Sequence, residues 1–254
     1  MCYTCYMQNV YDNKKFFEEY LKIRKKNINA NDLIEIPLFK QLLPDFKNMR
    51  ILELGCGYGD LAKFLIDNGA SEVVATDISK NMIDLAKQKN SSSKIKYLLL
   101  PMENLGELNE QFDLVVSSLA FHYVEDFNKL ISDISKLLKT DGNLVFSQEH
   151  PVETAFKPPE KNKQLSTKQI FDGKTYYLLS DYNLNGKRVV KWNIDGVIKY
   201  HRNMSSIINA LAFNNFKIEQ MIESYADEEV IKIEPKYKYQ NDRPYFLLMC
   251  AKKI

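Results

Sequence analysis

Between Met49 and Ser147 the chain alternates short apolar runs with longer amphipathic stretches, and turn-forming residues separate them. Met49 to Leu54 reads as a buried strand that runs into Gly55, and Asp60 to Asn68 follows with helical spacing. Glu72 to Thr76 repeats the strand, and Ser79 is placed to cap a helix carrying Met82, Ile83, Leu85 and Ala86 on one side. Ile95 to Leu99 and Phe112 to Ser117 predict a third and a fourth strand. Phe127, Leu130, Ile131, Ile134, Leu137 and Leu138 then form one helical face, and Asp141-Gly142 turns into a strand over Asn143 to Ser147. Strands that alternate with amphipathic helices, several of them apolar throughout, predict an α/β fold with a largely parallel sheet covered on both faces.

The flanks read differently. Lys14 to Lys26 and Asp32 to Leu43 predict two helices ahead of the first strand, with Pro44 ending the second. Val152 to Arg202 is polar, with β-like runs at Thr175 to Leu179, Arg188 to Trp192 and Val197 to His201, which predicts an inserted hairpin or flap. A helix near Met204 to Ala212 and strands near Phe216 to Ile222 and Pro244 to Ala251 resume the α/β pattern. At 254 residues one core with an elaboration suffices, so the expectation is a single domain over 1–254. Its parts are an N-terminal helical segment at 1–48, a core at 49–150, the flap at 151–203 and a C-terminal part of the sheet at 204–254.

Charge removes some partners. Lys and Arg number 35 against 33 Asp and Glu, a net charge of +2, which supplies no broad field for a phosphate backbone, and no nucleic-acid partner is expected. MCYTCYMQNVYDNKK lacks a charged leader followed by an apolar segment, and no stretch approaches the ~18 apolar residues of a membrane span. A cytoplasmic protein with no membrane partner is expected. Cys2 and Cys5 form a lone C-x-x-C without the second ligand pair that zinc requires, so they read as an incidental reduced pair and no metal is expected.

The candidate chemistry begins at ILELGCGYGDL. Gly55, Gly57 and Gly59 follow a strand and open a helix, so backbone N–H groups and the helix dipole are available to a negatively charged ligand group. A dinucleotide turn requires glycine at the position Asp60 occupies. Asp77 closes the second strand, where a carboxylate accepts from ribose hydroxyls or caps the next helix.

ILELGCGYGDL is similar to the first motif of class I S-adenosylmethionine-dependent methyltransferases, of the small-molecule, type 11-like kind. VVATDISKNMIDLAK, PMENL with FDLVVSSLAFHYVED, and LLKTDGNLVFSQEHP resemble the motifs that follow, in register from about Asn9 to His150 and more loosely beyond. The resemblance implies a Rossmann-like, mostly parallel seven-stranded sheet and S-adenosylmethionine as cofactor, with S-adenosylhomocysteine as product. It implies that Glu53, Gly55, Cys56 and Gly57 line the methionine end, Asp77 the ribose, Ile78 and Met82 the adenine face, and Met102 with Glu103 the adenine edge. Ser118 would sit beside the sulfonium. Tyr20 and Arg24, on an N-terminal helix that serves as a lid, would hold the methionine carboxylate.

Methyl transfer is an in-line displacement that asks the protein chiefly to align the acceptor and exclude water; a base is needed only for some acceptors. His122 follows the fourth strand and Glu149 with His150 close the fifth, at the rim where open α/β sheets place ligands. They are the candidates for a base or an acceptor contact, although His122 reads somewhat better as a hydrogen-bonded structural histidine. His201-Arg202 beyond the flap reads as a solvated strand end or a cover for the acceptor. Tyr11, Tyr123, Trp192 and Tyr200 are candidate aromatic walls. The fourth strand ends in Ser117-Ser118-Leu119-Ala120, without the Asn/Asp-Pro-Pro-aromatic motif of relatives that methylate nucleic acid or glutamine, which favours a small-molecule acceptor. A non-catalytic cofactor-binding protein, a tRNA methyltransferase and a nicotinamide-dependent oxidoreductase stay open, and the oligomeric state is not addressed by the sequence.

Overall fold

In the computed structural model the central sheet has seven strands: β1 (Arg50–Leu54), β2 (Glu72–Asp77), β3 (Ile95–Leu99), β4 (Phe112–Ser117), β5 (Leu138–Glu149), β10 (Phe216–Glu223) and β11 (Phe246–Lys253). The structure describes residues 9–24, 28–157, 167–192 and 194–254. Cys2, Cys5 and the side chain of Arg24 lie outside the described residues. The strand order is β3-β2-β1-β4-β5-β11-β10. The first five strands run parallel, and β11 is antiparallel to both β5 and β10. The chain winds outward from β1 through β3 and then restarts at β4 on the other side of β1. This places a crevice at the carboxyl ends of β1 and β4, where adjacent connections leave in opposite directions.

Apolar residues of these strands feed two cores, one on each face. Leu52, Leu54 and Val115 pack under helix α5 (Phe127–Leu137) and helix α7 (Met204–Phe213), while Ile51, Val73 and Val116 pack under the helices of the opposite face. Those include α3 (Asp60–Asp67) and α4 (Lys80–Lys89). Ser79 caps α4 as expected, its Oγ accepting from Met82 N at 3.2 Å, and Asp126 caps α5, its Oδ1 accepting from Lys129 N at 2.9 Å.

The N-terminal segment has helix α1 (Lys14–Arg24), then a π-helical turn (Asn31–Glu35) that continues into α2 (Ile36–Leu42). Ile36 N–H bonds to Asn31 O, five residues back. The wider turn sits directly before Pro37, whose ring lacks an N–H and crowds the carbonyl four residues earlier. The predicted helix over Asp32 to Leu43 is therefore present, with a change of register that periodicity did not show.

The insertion holds two hairpins, β6 (Lys168–Phe171) with β7 (Lys174–Tyr177), and β8 (Gly186–Trp192) with β9 (Ile194–His201). They are preceded by a one-turn helix, α6 (Pro151–Thr154). Residues 223–243, unassigned from the sequence, hold helix α8 (Glu228–Ile233) and a 3-10 segment (Pro235–Asn241), and the last strand starts at Phe246, two residues later than expected. Among the described residues no helix is long and apolar enough to cross a membrane.

Candidate active site

The glycine turn after β1 is shaped by contacts with its neighbours. Gly59 caps α3 at φ +85°, and a Cβ there would lie 2.3 Å from Tyr97 Oη. At Gly55, φ +70°, a Cβ would lie 2.5 Å from the Cβ of Ala120. Only a residue without a side chain fits either place. A Cβ at Gly57 would meet nothing within 4 Å, so the turn opens onto a hollow there.

The N–H groups of this turn are used inside the protein. Cys56 N donates to Thr76 O at 2.9 Å, Gly57 N to Asp77 Oδ2 at 2.9 Å and Gly59 N to Cys56 O at 2.9 Å. In the first turn of α3, the Ala62 N–H donates to the Glu53 carboxylate. The expectation that these donors face a negatively charged ligand group is corrected: carboxylates already take the N–H groups of Gly57 and Ala62, and backbone carbonyls those of Cys56 and Gly59. What faces the hollow is acidic, which suits a cationic ligand and opposes a pyrophosphate.

Both acids are strained by burial. Glu53 is 3% exposed, its Oε2 has no hydrogen-bond partner, and burial together with Asp77 and Asp60 holds its carboxyl well above the ordinary range. Asp77 also accepts from Ser79 N at 2.8 Å, yet burial outweighs its backbone hydrogen bonds and raises its pKa to about 6.

One cavity of about 1370 Å³ extends from this turn, larger than a single small ligand needs. Glu53, Gly55, Cys56, Gly57 and Asp77 line it, as do Ile78, Met82, Met102, Glu103, Ser118 and Tyr20. Ser118 Oγ donates to Glu35 Oε1 at 2.9 Å, and Ser147 Oγ donates to the same oxygen, so a fully buried carboxylate of the π turn is pinned to the ends of β4 and β5.

The roof is built from two distant segments. Asp12 accepts from Ser79 Oγ at 2.6 Å and Asn81 N at 3.0 Å, and Asn9 Nδ2 donates to Ile78 O at 3.1 Å, which seats the N-terminal segment on the start of α4. Phe16, fully buried, meets Trp192 of β8 edge-on at 5.3 Å, and Tyr11 meets Tyr20 and Tyr123 at 5.3 and 6.4 Å. The N-terminal segment and the second hairpin thus share one small aromatic core.

The other end of the cavity contains His122 and Glu149. His122 lies in a 3-10 turn (Phe121–Tyr123), is 4% exposed, and its Nδ1 accepts weakly from Glu149 N at 3.4 Å. Burial, aided by Lys199 and Arg202, lowers its pKa to about 4, so the ring is neutral at pH 7. Glu149 is ion-paired with Lys199, whose ammonium stands 5.2 Å from the Trp192 ring; the pair holds the Glu149 carboxyl below its ordinary range despite burial.

Two expectations change here. His150 does not line the cavity: its Nδ1 accepts from Val152 N at 3.1 Å, capping α6, and its Nε2 bonds Glu223 Oε1 at 2.8 Å. Both ring nitrogens are engaged in holding the sheet edge. His201-Arg202 is not a solvated strand end: His201 is fully buried between Thr154 Oγ1 and Tyr182 O, and Arg202 donates to the carbonyls of Phe121, Val124 and Glu125. Arg202 therefore fastens the turn that carries His122.

Several lining residues had no signal in the sequence. Tyr237, Tyr239, Arg243 and Tyr245 arrive from the segment before β11, Tyr177 from β7 and Glu153 from α6. They are isolated polar or aromatic residues with no motif spacing.

A Rossmann-like sheet with an acid-lined crevice at its topological switch point places a ligand site at the ends of β1 and β4, and the comparisons give the family. A methyltransferase-domain family model matches residues 52–146. A crystal structure of an S-adenosylmethionine-dependent methyltransferase from Mesorhizobium loti superposes with TM-score 0.77 at 31% identity, covering 89% of this chain and 98% of that one. An uncharacterized protein of Haemophilus influenzae is 38% identical over 97% of both chains. A malonyl-[acyl-carrier protein] O-methyltransferase of Acetivibrio thermocellus is 34% identical over 53% of this chain, and the chain covers 46% of that relative's length. The chain belongs to the class I S-adenosylmethionine-dependent methyltransferases.

Proposed function

We propose that this protein methylates a small molecule inside the roofed cavity, with the cofactor at the glycine turn and the acceptor toward His122, Glu149 and the tyrosines beyond. The carrying observation is that the turn presents carboxylates to the cavity. The unpartnered Oε2 of Glu53 fits the cofactor's ammonium, and the open space at Gly57 fits its methionine chain. Asp77 retains lone pairs for the ribose hydroxyls, Ile78 and Met82 would cover the adenine face, and Met102 with Glu103 would meet its edge. Cys56 would line the methionine end, Ser118 would lie near the reacting sulfur, and Tyr20 would close over it.

When bound, S-adenosylmethionine supplies an electrophilic methyl group on a sulfonium. The protein's part is to orient the acceptor and keep water out. The aromatic roof of Tyr11, Phe16, Tyr123 and Trp192 performs the exclusion. His122, neutral at pH 7, serves better as a hydrogen-bonding contact than as a base, and Glu149, ionised and paired with Lys199, orients this wall. The roof segments correspond to the lid at 1–48 and the flap at 151–203, around the core at 49–150 and the sheet's remainder at 204–254. Balanced charge supports a partner other than nucleic acid. Cys56 and Cys250, buried and unbridged, support a cytoplasmic setting.

Calorimetry with S-adenosylhomocysteine and with a nicotinamide dinucleotide tests the donor end. Binding of the first alone is expected, and tight dinucleotide binding would overturn the reading. Transfer of labelled methyl from S-adenosylmethionine into a metabolite extract tests turnover, and macromolecular label alone would overturn the small-molecule acceptor.

A further inference from the structure

The far wall of the cavity holds a carboxylate with no assigned task. Glu153 stands in the single turn of α6, and its side chain is 21% exposed. Arg243, 7% exposed, approaches its Oε2 to 2.8 Å, but Oε2 accepts no hydrogen bond. The arginine's N–H groups go elsewhere, to Thr167 Oγ1 at 3.0 Å and to the carbonyls of Val152 and Glu153 at 3.4 and 3.3 Å, and its Nε is buried without a partner. The pair attracts by charge and buries Oε2, while the exposure of the side chain leaves the other oxygen, Oε1, to meet a donor in the cavity.

The other groups able to receive a proton here are committed. Glu149 is held by Lys199, and the Nδ1 lone pair of His122 is turned to a backbone N–H. Around Glu153 stand phenols: Tyr177, with the Arg243 guanidinium 5.4 Å from its ring, and Tyr239 and Tyr245, which hydrogen-bond to each other. Over the whole cavity nine lining side chains are acidic and five basic, an excess of acid.

We propose that Glu153 takes the proton from the methyl acceptor, and that the acceptor enters as a protonated amine. This rests on the methyltransferase reading of the cavity. An ammonium balances the excess acid and finds ring faces that attract cations, whereas an acceptor carboxylate would set a further negative charge beside Glu153. An ammonium has no lone pair, so it must lose a proton before it reacts. The proton passes to the Glu153 carboxylate, and the freed lone pair forms the new N–C bond as the S–C bond breaks. The sulfur leaves neutral, and the positive charge ends on the methylated amine. The charged and titratable groups facing Glu153 are Arg243, Glu149, Lys199, Tyr177, Tyr239 and Tyr245. Burial outweighs Arg243 and lifts Glu153 to about 7, where a proton acceptor for neutral-pH chemistry is best poised.

Two readouts test this. In carboxyl-13C spectra of the protein without cofactor, one glutamate resonance titrating near pH 7 in wild type is expected to vanish in Glu153→Gln while that of Glu53, also raised by burial, stays; an unchanged set of high-titrating resonances overturns the assignment. In a metabolite extract supplied with methyl-labelled S-adenosylmethionine, the product is expected to bind a cation exchanger and to keep its label in mild base. A methyl ester would release labelled methanol instead, and that result overturns the amine. Glu153→Gln should lower the labelling rate at least tenfold with S-adenosylhomocysteine affinity changed less than twofold, and Glu153→Asp should recover part of the rate. Wild-type turnover in Glu153→Gln, or no labelled product from a protein that binds S-adenosylhomocysteine, overturns the proposal. Failure to bind S-adenosylhomocysteine would instead strike the methyltransferase reading.

Discussion

The two ends of the cavity are built in different ways. At the cofactor end, β1, the glycine turn, α3, β2 and Asp77 follow one another within residues 50–77, and backbone groups make most of the contacts. At the acceptor end, His122, Glu149, Glu153, Tyr177, Lys199, Tyr239 and Arg243 come from five separate stretches of chain, and side chains make the contacts. A binding place made of local backbone tolerates little change at its glycines. One assembled from scattered side chains can exchange a member without collapse, and this leaves the acceptor end free to vary.

That difference can be broken or sharpened by substitution. Gly59→Val should have the largest effect: a β-branched residue at φ +85°, with its Cβ driven toward Tyr97, should cost about 4 kcal/mol of folding stability, measured by denaturant unfolding. Loss below 1 kcal/mol would mean that the turn is far less constrained than its contacts indicate.

The acceptor end should show itself through pH. Glu153 has a folded pKa raised to about 7, above its unfolded value. The stability it contributes is therefore full below about pH 4.5 and is lost as pH rises through about 7. Glu153→Gln should reduce the fall in stability between pH 5 and pH 8 by up to about 3 kcal/mol. An unchanged slope in thermal unfolding at the two pH values would place Glu153 in water.

At the cofactor end, Asp77→Ala should weaken S-adenosylhomocysteine by about 30-fold, about 2 kcal/mol, in calorimetry at pH 8. Because ribose hydroxyls donate to the ionised carboxylate, wild-type affinity should also decline as pH falls below about 6, where Asp77 takes up a proton. A pH-independent affinity would remove Asp77 from the contact. The smallest effect belongs to His150→Ala, which loses the cap on α6 and about 1 kcal/mol of stability. Its S-adenosylhomocysteine affinity should match wild type, and a tenfold loss would return His150 to the site.

The strand and helix pattern from Met49 to Ser147 and the place of Asp77 were legible because neighbours in sequence are neighbours in space there: a parallel strand, its turn and its helix each carry a local period. Even in that stretch the direction of the turn's N–H groups was misread, since which carboxylates reach them depends on how β1 lies against β2. The register change before Pro37 and the burial of His201 and Arg202 were missed as well. The first is a local change of hydrogen-bond register that apolar spacing does not encode, and the second is imposed by packing partners far away in sequence. The segment holding Tyr239 and Arg243 shows no apolar period at all, because its residues serve a cavity wall and not a sheet face.

The sequence by itself determined the α/β order, the crevice beside β1 and the cofactor family, since these follow from short-range periodicity and a few residues at fixed spacing. Only the tertiary structure decided that the crevice is acid-lined, that the N-terminal segment and the second hairpin share a roof, that His150 holds the sheet edge and that Glu153 lines the cavity. Those outcomes depend on which distant side chains meet after burial, and on the cost of leaving their charges without water.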